Sequence, residues 1–254
     1  MRLLAIASLL FFSHFTHATI VQVSTDYGDI SINLYDVDTP KTVENFLRYV
    51  EAERYDGIII HRSIPEFVMQ TGGYTVVDNP EGNDTVQAID TYSSVVNEPV
   101  FSSVFGTIAM AKLASSPNSA TSQWFINLSD NSANLDIQNG GFTVFGSVTA
   151  DANSQTTLDT LVAFSRYNFG GAFTSLPLDD SYTTSDAQSG IFPTKEQYIT
   201  INSVSIIDDT VDTASSLEKP ENTLIHSLGS DSAGSLHFIG FMMLLSLVSI
   251  RRSR

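Results

Sequence analysis

The sequence predicts a mainly β fold, a closed eight-stranded antiparallel β-barrel capped by two α-helices. Two observations lead to this prediction. About eight short apolar segments, each of strand length, are separated by Gly, Pro, Asn or Ser, as is usual in all-β domains. Two segments have apolar residues at helical spacing, one early and one late in the chain, and no internal repeat is visible.

The N-terminal part of the predicted domain consists of a hairpin followed by a helix. Apolar and polar residues alternate over residues 20–34, with a turn at residues 27–29, which is typical of two antiparallel strands. Thr39 is expected to be the N-cap of the first helix, with Pro40 at the first helical position. The residues expected to face the core recur at helical spacing: Val43, Phe46, Leu47 and Val50.

The rest of the domain is predicted to consist of short strands and one further helix. The second helix is expected at residues 156–164, and alternation over residues 198–207 predicts the last strand. Each of the other apolar runs is bounded by residues that favour turns. These runs are residues 58–60, 67–70, 104–110, 123–128 and 142–148.

Composition excludes several classes of function. The 254-residue chain has no cysteine, so disulfides, thiolate metal sites and a cysteine nucleophile are excluded. Of the five histidines only His61 lies in the middle of the chain, so a multi-histidine metal site is not expected. A serine-hydrolase triad would have to use His61 as its base, and it is not expected because the sequence has no Gly-x-Ser-x-Gly elbow. The formal net charge of -16 disfavours binding to nucleic acid phosphates. We therefore expect no metal, no cofactor and no nucleic acid partner. We also expect a monomer.

Both ends of the chain are predicted to lie outside the domain, which is assigned to residues 19–208. Residues 1–18 combine a basic start, an apolar run and a small-residue end, which is typical of a secretory signal peptide. Residues 209–235 are rich in Asp, Ser and Thr and are predicted to be a flexible spacer. Residues 236–254 contain a short hydrophobic run followed by a terminal arginine cluster.

This C-terminal tail leaves two alternatives open. Its apolar run at residues 236–250 would reach only about 22 Å as a helix, whereas the hydrocarbon layer is roughly 30 Å thick. The tail resembles the glycine-glycine sorting tails of Gram-negative bacteria, with Ala233-Gly234 where Gly-Gly is usual. One alternative is processing at the cell surface, and the other is a retained anchor that attaches the domain to a membrane. In both cases we expect export to the periplasm or cell surface of a Gram-negative bacterium.

Three segments of the domain together resemble one known family. They read HRSIPEFVMQTGG at residues 61–73, GTIAMAK at 106–112 followed by SATSQWFIN at 119–127, and NLD at 134–136 leading to FTVFG at 142–146. In this order they resemble the cyclophilin-type peptidyl-prolyl cis/trans isomerases, and the spelling of the second segment resembles the bacterial periplasmic branch. The family's eight-stranded barrel with two capping helices agrees with the strand pattern.

The resemblance implies a role for each matching residue. Arg62 corresponds to the catalytic arginine and Gln70 to its polar neighbour. The proline pocket is expected to be formed by Phe67, Val68, Phe125, Leu135 and Phe142. The residues expected to hold the peptide are Ala111, Lys112 and Gln123. His61 and Trp124 alternate with Arg62 and Phe125 along their strands, so their side chains are expected to have structural roles in the interior.

Four positions depart from the commonest family pattern. Val68 stands where methionine is usual, and Phe142 replaces the histidine of eukaryotic members. Lys112 stands where asparagine is common, but the family uses the backbone of that residue. Asn134 occupies a position where many members have tryptophan, so only weak cyclosporin binding is expected.

The implied reaction is isomerisation of X-Pro bonds in exported proteins, which needs neither proton transfer nor a covalent intermediate. An arginine suits it, because a permanently charged donor can stabilise the prolyl nitrogen when rotation restores its lone pair. The partners are therefore proline-containing polypeptides. The alternatives are a cyclophilin-like module that binds or chaperones proline segments with little turnover, and a surface protein in which the domain is a display unit.

Overall fold

The computed structural model describes residues 19–78, 84–210 and 213–225. The predicted signal peptide at residues 1–18 and the tail at residues 236–254 lie outside these ranges. Across the described part of the chain, no helix has both the length and the apolar character needed to cross a bilayer.

The helices are α1 (Pro40–Glu51), α2 (Ser132–Leu135), α3 (Ala152–Ala163) and α4 (Thr184–Gln188). The strands are β1 (Ile20–Thr25), β2 (Gly28–Leu34), β3 (Ile58–Ile59), β4 (Arg62–Ile64), β5 (Val68–Thr71), β6 (Tyr74–Val77), β7 (Thr85–Ala88), β8 (Thr107–Met110), β9 (Trp124–Asn127), β10 (Val144–Val148), β11 (Arg166–Tyr167), β12 (Leu176–Pro177) and β13 (Thr200–Asp208).

One large antiparallel sheet dominates the fold. Its strand order is β4-β5-β9-β8-β10-β2-β1-β13-β3-β6-β7, and β11 pairs with β12 in a second, two-stranded sheet. The prediction of a mainly β, antiparallel fold with few helices is confirmed. The described residues contain more strands than the eight predicted, because the β6-β7 and β11-β12 hairpins have no strong apolar run and because Ile60 and His61 interrupt one strand-like segment.

Side chains of β5 and β9 alternate between two apolar clusters, which lie on opposite faces of these strands. Met69, Trp124 and Ile126 lie in the main core beneath the long helices, as was predicted for Trp124. Their strand neighbours Val68 and Phe125 belong to a second cluster on the opposite face of the same strands. Because successive side chains of a strand point to opposite faces, one strand contributes residues to both clusters.

Helix α1 begins as predicted at Pro40, but its N-terminal amides are capped by another segment. The hydroxyl of Thr39 donates to the carbonyl of Tyr35 at 3.2 Å and makes no bond to the first turn of the helix. Instead, the carboxylate of Glu98 accepts bonds from the backbone amide of Thr42 at 2.9 Å and from its hydroxyl at 2.7 Å. Thr39 therefore occupies the predicted N-cap position, but its side chain does not cap the helix, and the capping carboxylate comes from a residue that is remote in sequence.

Helix α3 begins at Ala152 rather than at residue 156. Asp151 is its N-cap, and its side chain accepts a bond from the amide of Ser154 at 2.8 Å. The first turn is polar, so its residues do not contribute to the apolar spacing on which the prediction depended.

Residues 213–225 are packed on the domain, so the prediction of a flexible spacer is wrong for them. We call this segment the C-terminal strap. Asn222 is buried and its side-chain amide donates to the carbonyl of Asp136 at 2.9 Å. Lys219 forms an ion pair with Asp38 at 2.5 Å. Long-range contacts of this kind cannot be predicted from a composition rich in Asp, Ser and Thr.

Replacement of the remote cap tests this account of α1. We expect Glu98→Ala to lower the free energy of unfolding by about 1–2 kcal/mol, the usual effect of losing a helix cap. Urea unfolding measures the change. Glu44→Ala, which removes an exposed carboxylate from the same helix, is the matched control. Equal stability of the two variants would contradict the capping role of Glu98.

Candidate active site

Strand register brings Arg62, Gln70 and Phe125 into one row across three neighbouring strands. Arg62 on β4 lies opposite Gln70 on β5. Gln70 in turn lies opposite Phe125 on β9. Directly opposed residues of antiparallel strands project from the same face. The sequence-predicted catalytic residues therefore share a face with one of the predicted pocket residues.

A chain of two amide side chains fixes the polar part of this face. The guanidinium of Arg62 donates to Oε1 of Gln70 at 3.4 Å. Nε2 of Gln70 donates to Oε1 of Gln123 at 2.8 Å. Because Gln123 accepts from the nitrogen of the Gln70 amide, the oxygen of that amide is left to face Arg62. Gln123 thus acts on Arg62 through Gln70.

The Arg62 side chain is a buried charge without an acidic partner among the described residues. It is only 8% exposed. The ion pair between Lys219 and Asp38 is the one salt bridge found in the described ranges. Burial lowers the pKa of the guanidinium, which nevertheless remains charged because arginine does not deprotonate in proteins. A guanidinium has five N–H donors, and Gln70 accepts a bond from only one of them. None of the five donors binds a carboxylate among the described residues.

The predicted pocket residues form the apolar part of the same face. The rings of Phe125 and Phe142 meet edge to face, with 5.8 Å between their centroids. Phe67 is half-buried at the edge of the cluster, and its ring centroid lies 5.8 Å from Cζ of Arg62. The buried members of this cluster that were predicted as site residues are Val68, Ala111, Phe125, Leu135 and Phe142.

Lys112 is the predicted site residue whose side chain does not face this row. It is only 2% exposed, although lysine is seldom buried. Its ammonium donates to the carbonyls of Asn139, at 3.0 Å, and of Gly141. The side chain is thus directed into the protein, and the predicted role in holding a peptide is left to the backbone of Lys112.

Comparison with known proteins identifies the family. The family model described as cyclophilin type peptidyl-prolyl cis-trans isomerase/CLD matches residues 20–170. The chain belongs to the cyclophilin family. The match includes every predicted site residue and ends before β12, α4, β13 and the C-terminal strap.

Curated relatives of this cyclophilin carry the same enzyme name. A peptidyl-prolyl cis-trans isomerase of Acinetobacter baylyi is 38% identical over 148 residues, which cover 57% of this chain and 74% of the relative. Peptidyl-prolyl cis-trans isomerase B of Escherichia coli is 34% identical over 134 residues, covering 50% of this chain and 76% of the relative. The predicted family and enzyme class are confirmed by these matches.

A solved structure is also similar to this cyclophilin. The cyclophilin type isomerase of Cryptosporidium parvum, solved in the presence of the dipeptide Ala-Pro, is 23% identical and has a TM-score of 0.47. The similarity covers 74% of this chain and 98% of that chain.

His61 lies next to Arg62 in sequence but packs in a different part of this cyclophilin. Its ring meets Tyr74 edge to face, with 4.9 Å between centroids. Burial, with a smaller contribution from the positive charge of Arg62, lowers the pKa of His61 to about 3. The ring is therefore neutral at physiological pH and has the interior position that was predicted for it.

Gly72 and Gly73 are required by the site, although sequence reasoning gave them no role. A Cβ atom at Gly73 would lie 2.5 Å from Nε2 of Gln123, so the Gln123 amide rests directly on this glycine. A Cβ atom at Gly72 would lie 2.4 Å from the carbonyl oxygen of Ser122, and the φ of Gly72 is +84°. The glycine pair that follows Gln70 in the motif was the only sequence signal for these contacts.

The contrast between the two glycines tests the amide chain. We expect Gly73→Ala to lower kcat/KM roughly tenfold, because it displaces the flexible end of Gln123 and so releases Gln70. Its free energy of unfolding should change by less than about 1 kcal/mol. Gly72→Ala should instead destabilise the fold, because it collides with backbone at a positive φ. Full activity of a stable Gly73→Ala variant would contradict the role of the amide chain.

Proposed function

We propose that this chain is an exported peptidyl-prolyl cis/trans isomerase in which Arg62 promotes rotation about X-Pro bonds. The observation that carries the proposal is a buried guanidinium with no acidic partner in the described ranges, beside an apolar cluster of aromatic residues. Leaving a buried charge without a counter-ion is costly to the fold. Such a charge is retained where it serves a ligand.

The chemistry of the X-Pro bond explains what Arg62 contributes. Resonance gives the C–N bond partial double-bond character, and the barrier to rotation is roughly 18–20 kcal/mol. Rotation removes this resonance and returns a lone pair to the prolyl nitrogen. A donor that faces the nitrogen binds the twisted state more strongly than either planar state, which is the condition for catalysis.

The energy of one hydrogen bond indicates how much of the rate acceleration Arg62 supplies and how much the apolar cluster has to supply. A hydrogen bond from a charged group is worth about 1.5–3 kcal/mol. Since each 1.36 kcal/mol is a factor of about ten in rate, one such bond accounts for roughly 10- to 150-fold. Further acceleration comes from Phe67, Phe125 and Phe142, which exclude water and hold the proline ring, and so strengthen the field of the guanidinium.

Gln123, Ala111 and the backbone of Lys112 are proposed to hold the peptide beside the proline pocket. Gln123 contributes in a second way, since its hydrogen bond orients Gln70 toward Arg62. Clients are proline-containing segments of exported proteins, bound by a monomer.

We also propose that the large sheet closes into an eight-stranded barrel through the segment at residues 58–64. Its first half, β3, pairs with β13, and its second half, β4, pairs with β5. The amide of Ile60 donates to Ile199 and the amide of His61 donates to Gln70, so the segment is bonded on both sides. Counted as one strand, it joins β5, β9, β8, β10, β2, β1 and β13.

Export to the periplasm or cell surface rests on the sequence of residues 1–18 and 236–254. The leader pattern supports secretion, and the short apolar run with terminal arginines supports attachment or processing at a membrane. Intact mass of the mature protein, with cell fractionation, tests both ends. A mature protein that retains its leader and is found in the cytoplasm would contradict this part of the proposal.

Substitution of Arg62 tests the isomerase directly. We expect Arg62→Ala to lower kcat for a short X-Pro peptide by roughly 10- to 100-fold, with little change in peptide affinity. Arg62→Lys should recover only part of the loss, because an ammonium lacks the fork geometry of a guanidinium. Arg166→Ala, which removes an exposed arginine, is the control. Wild-type protein that binds the peptide without turnover would favour the binding module.

A further inference from the structure

Residues 139–141 form a loop with an unusual backbone. Asn139, Gly140 and Gly141 all have positive φ values, of 52°, 77° and 71°. Three consecutive residues in this region are rare, and the conformation is strained at Asn139, which carries a Cβ atom. A loop of this kind persists only if surrounding contacts stabilise it.

Two side chains satisfy the carbonyls of this loop. The ammonium of Lys112 donates hydrogen bonds to the carbonyls of Asn139 and Gly141. The side-chain amide of Asn97 donates to the carbonyls of Gly140 and Gly141, each at 2.9 Å. All three carbonyls are thus bonded, and the only charged donor among these contacts is Lys112.

The loop leads directly into Phe142 of the proline pocket. The Lys112 ammonium lies 4.7 Å from the centroid of the Phe142 ring. The Phe142 amide donates to the carbonyl of Leu135 at 3.2 Å, so the loop joins two predicted pocket residues at its base. The C-terminal strap contacts the other side of the loop, where a Cβ atom at Gly141 would lie 3.1 Å from Ile225.

We infer that Lys112 is a positioning residue of this isomerase, whose buried ammonium holds residues 139–141 so that Phe142 forms one wall of the proline pocket. This inference rests on the proposed function, because it assigns a role within the same site. The residue acts through Phe142 and does not itself touch the proline ring.

The surroundings of the ammonium explain why its charge matters. No carboxylate neutralises it in the described contacts: Glu98 bonds to Thr42, and Asp136 bonds to the amide of Ser103. Burial lowers the pKa of Lys112 to about 8. Loss of the proton leaves a neutral amine, whose hydrogen bonds to carbonyls are roughly half as strong as those of an ammonium. The loop should therefore be held less firmly as the pH rises through about 8.

The expected kinetic signature differs from that of Arg62. A pocket wall contacts the proline ring in the planar and the twisted states alike, so its displacement weakens both by the same factor. We expect Lys112→Met to raise KM roughly tenfold, while kcat changes by less than about twofold. Lys195→Met, which removes an exposed lysine, is the matched control and should leave both constants unchanged.

A pH profile separates positioning from a general structural role. With a peptide blocked at both ends, the KM of the wild type should rise as the pH increases from 7 to 9, and that of Lys112→Met should stay flat. The stability has the opposite dependence. Because the pKa is lowered in the folded state, the unfolded chain binds the proton more tightly, so deprotonation of Lys112 favours folding as the pH rises above about 8. If Lys112 only stabilised the fold, peptide binding would therefore not weaken in this pH range.

A raised, pH-independent KM for Lys112→Met supports the inference, whereas an unchanged KM overturns it. A wild-type KM that does not vary between pH 7 and 9 also overturns it, and this measurement needs no variant to fold. Wild type without any turnover would instead refute the proposed function, and equilibrium peptide binding over the same pH range then tests the position of Phe142.

Discussion

The burial of a positive charge at Arg62, with no acidic partner in the part of the chain that the structure describes, is the constraint on which the site depends. A charge in this position has to be held by neutral groups, and the protein does so with Gln70 and Gln123. The amide chain fixes the guanidinium without neutralising it, as a carboxylate would. The glycine at position 73 is a consequence, because only the absence of a Cβ atom lets the Gln123 amide lie where it does.

Side chains alternate along β5 and β9, so the same two strands contribute residues to the site on one face and to the main core on the other. Met69 and Trp124 stabilise the interior, while their neighbours Gln70 and Phe125 form the outer face. The two clusters share backbone but not side chains. Both clusters are buried, since Phe125 is 0% and Gln70 only 6% exposed, so truncation of Phe125 is expected to lower stability as well as activity.

The sequence was sufficient for the family, for the antiparallel character of the fold and for the position of Arg62. These features are encoded locally, in alternating strands and in a motif whose residues lie within one hairpin. The cap of α1 by Glu98, the packing of the C-terminal strap and the direction of the Lys112 side chain were not predictable. Each depends on contacts between segments remote in sequence, and Lys112 was interpreted from its place in a motif, which does not specify where a long side chain points.

The chain is proposed to lower the barrier to X-Pro rotation and not merely to bind one isomer. Two-dimensional NMR exchange spectroscopy of a short proline peptide with a small amount of wild-type protein tests this most directly. Uncatalysed exchange takes tens to hundreds of seconds, so the free peptide gives no cross-peaks between its cis and trans signals on the timescale of the measurement. Cross-peaks that appear on addition of the protein are the predicted result. Shifted peptide signals without such cross-peaks would contradict the claim.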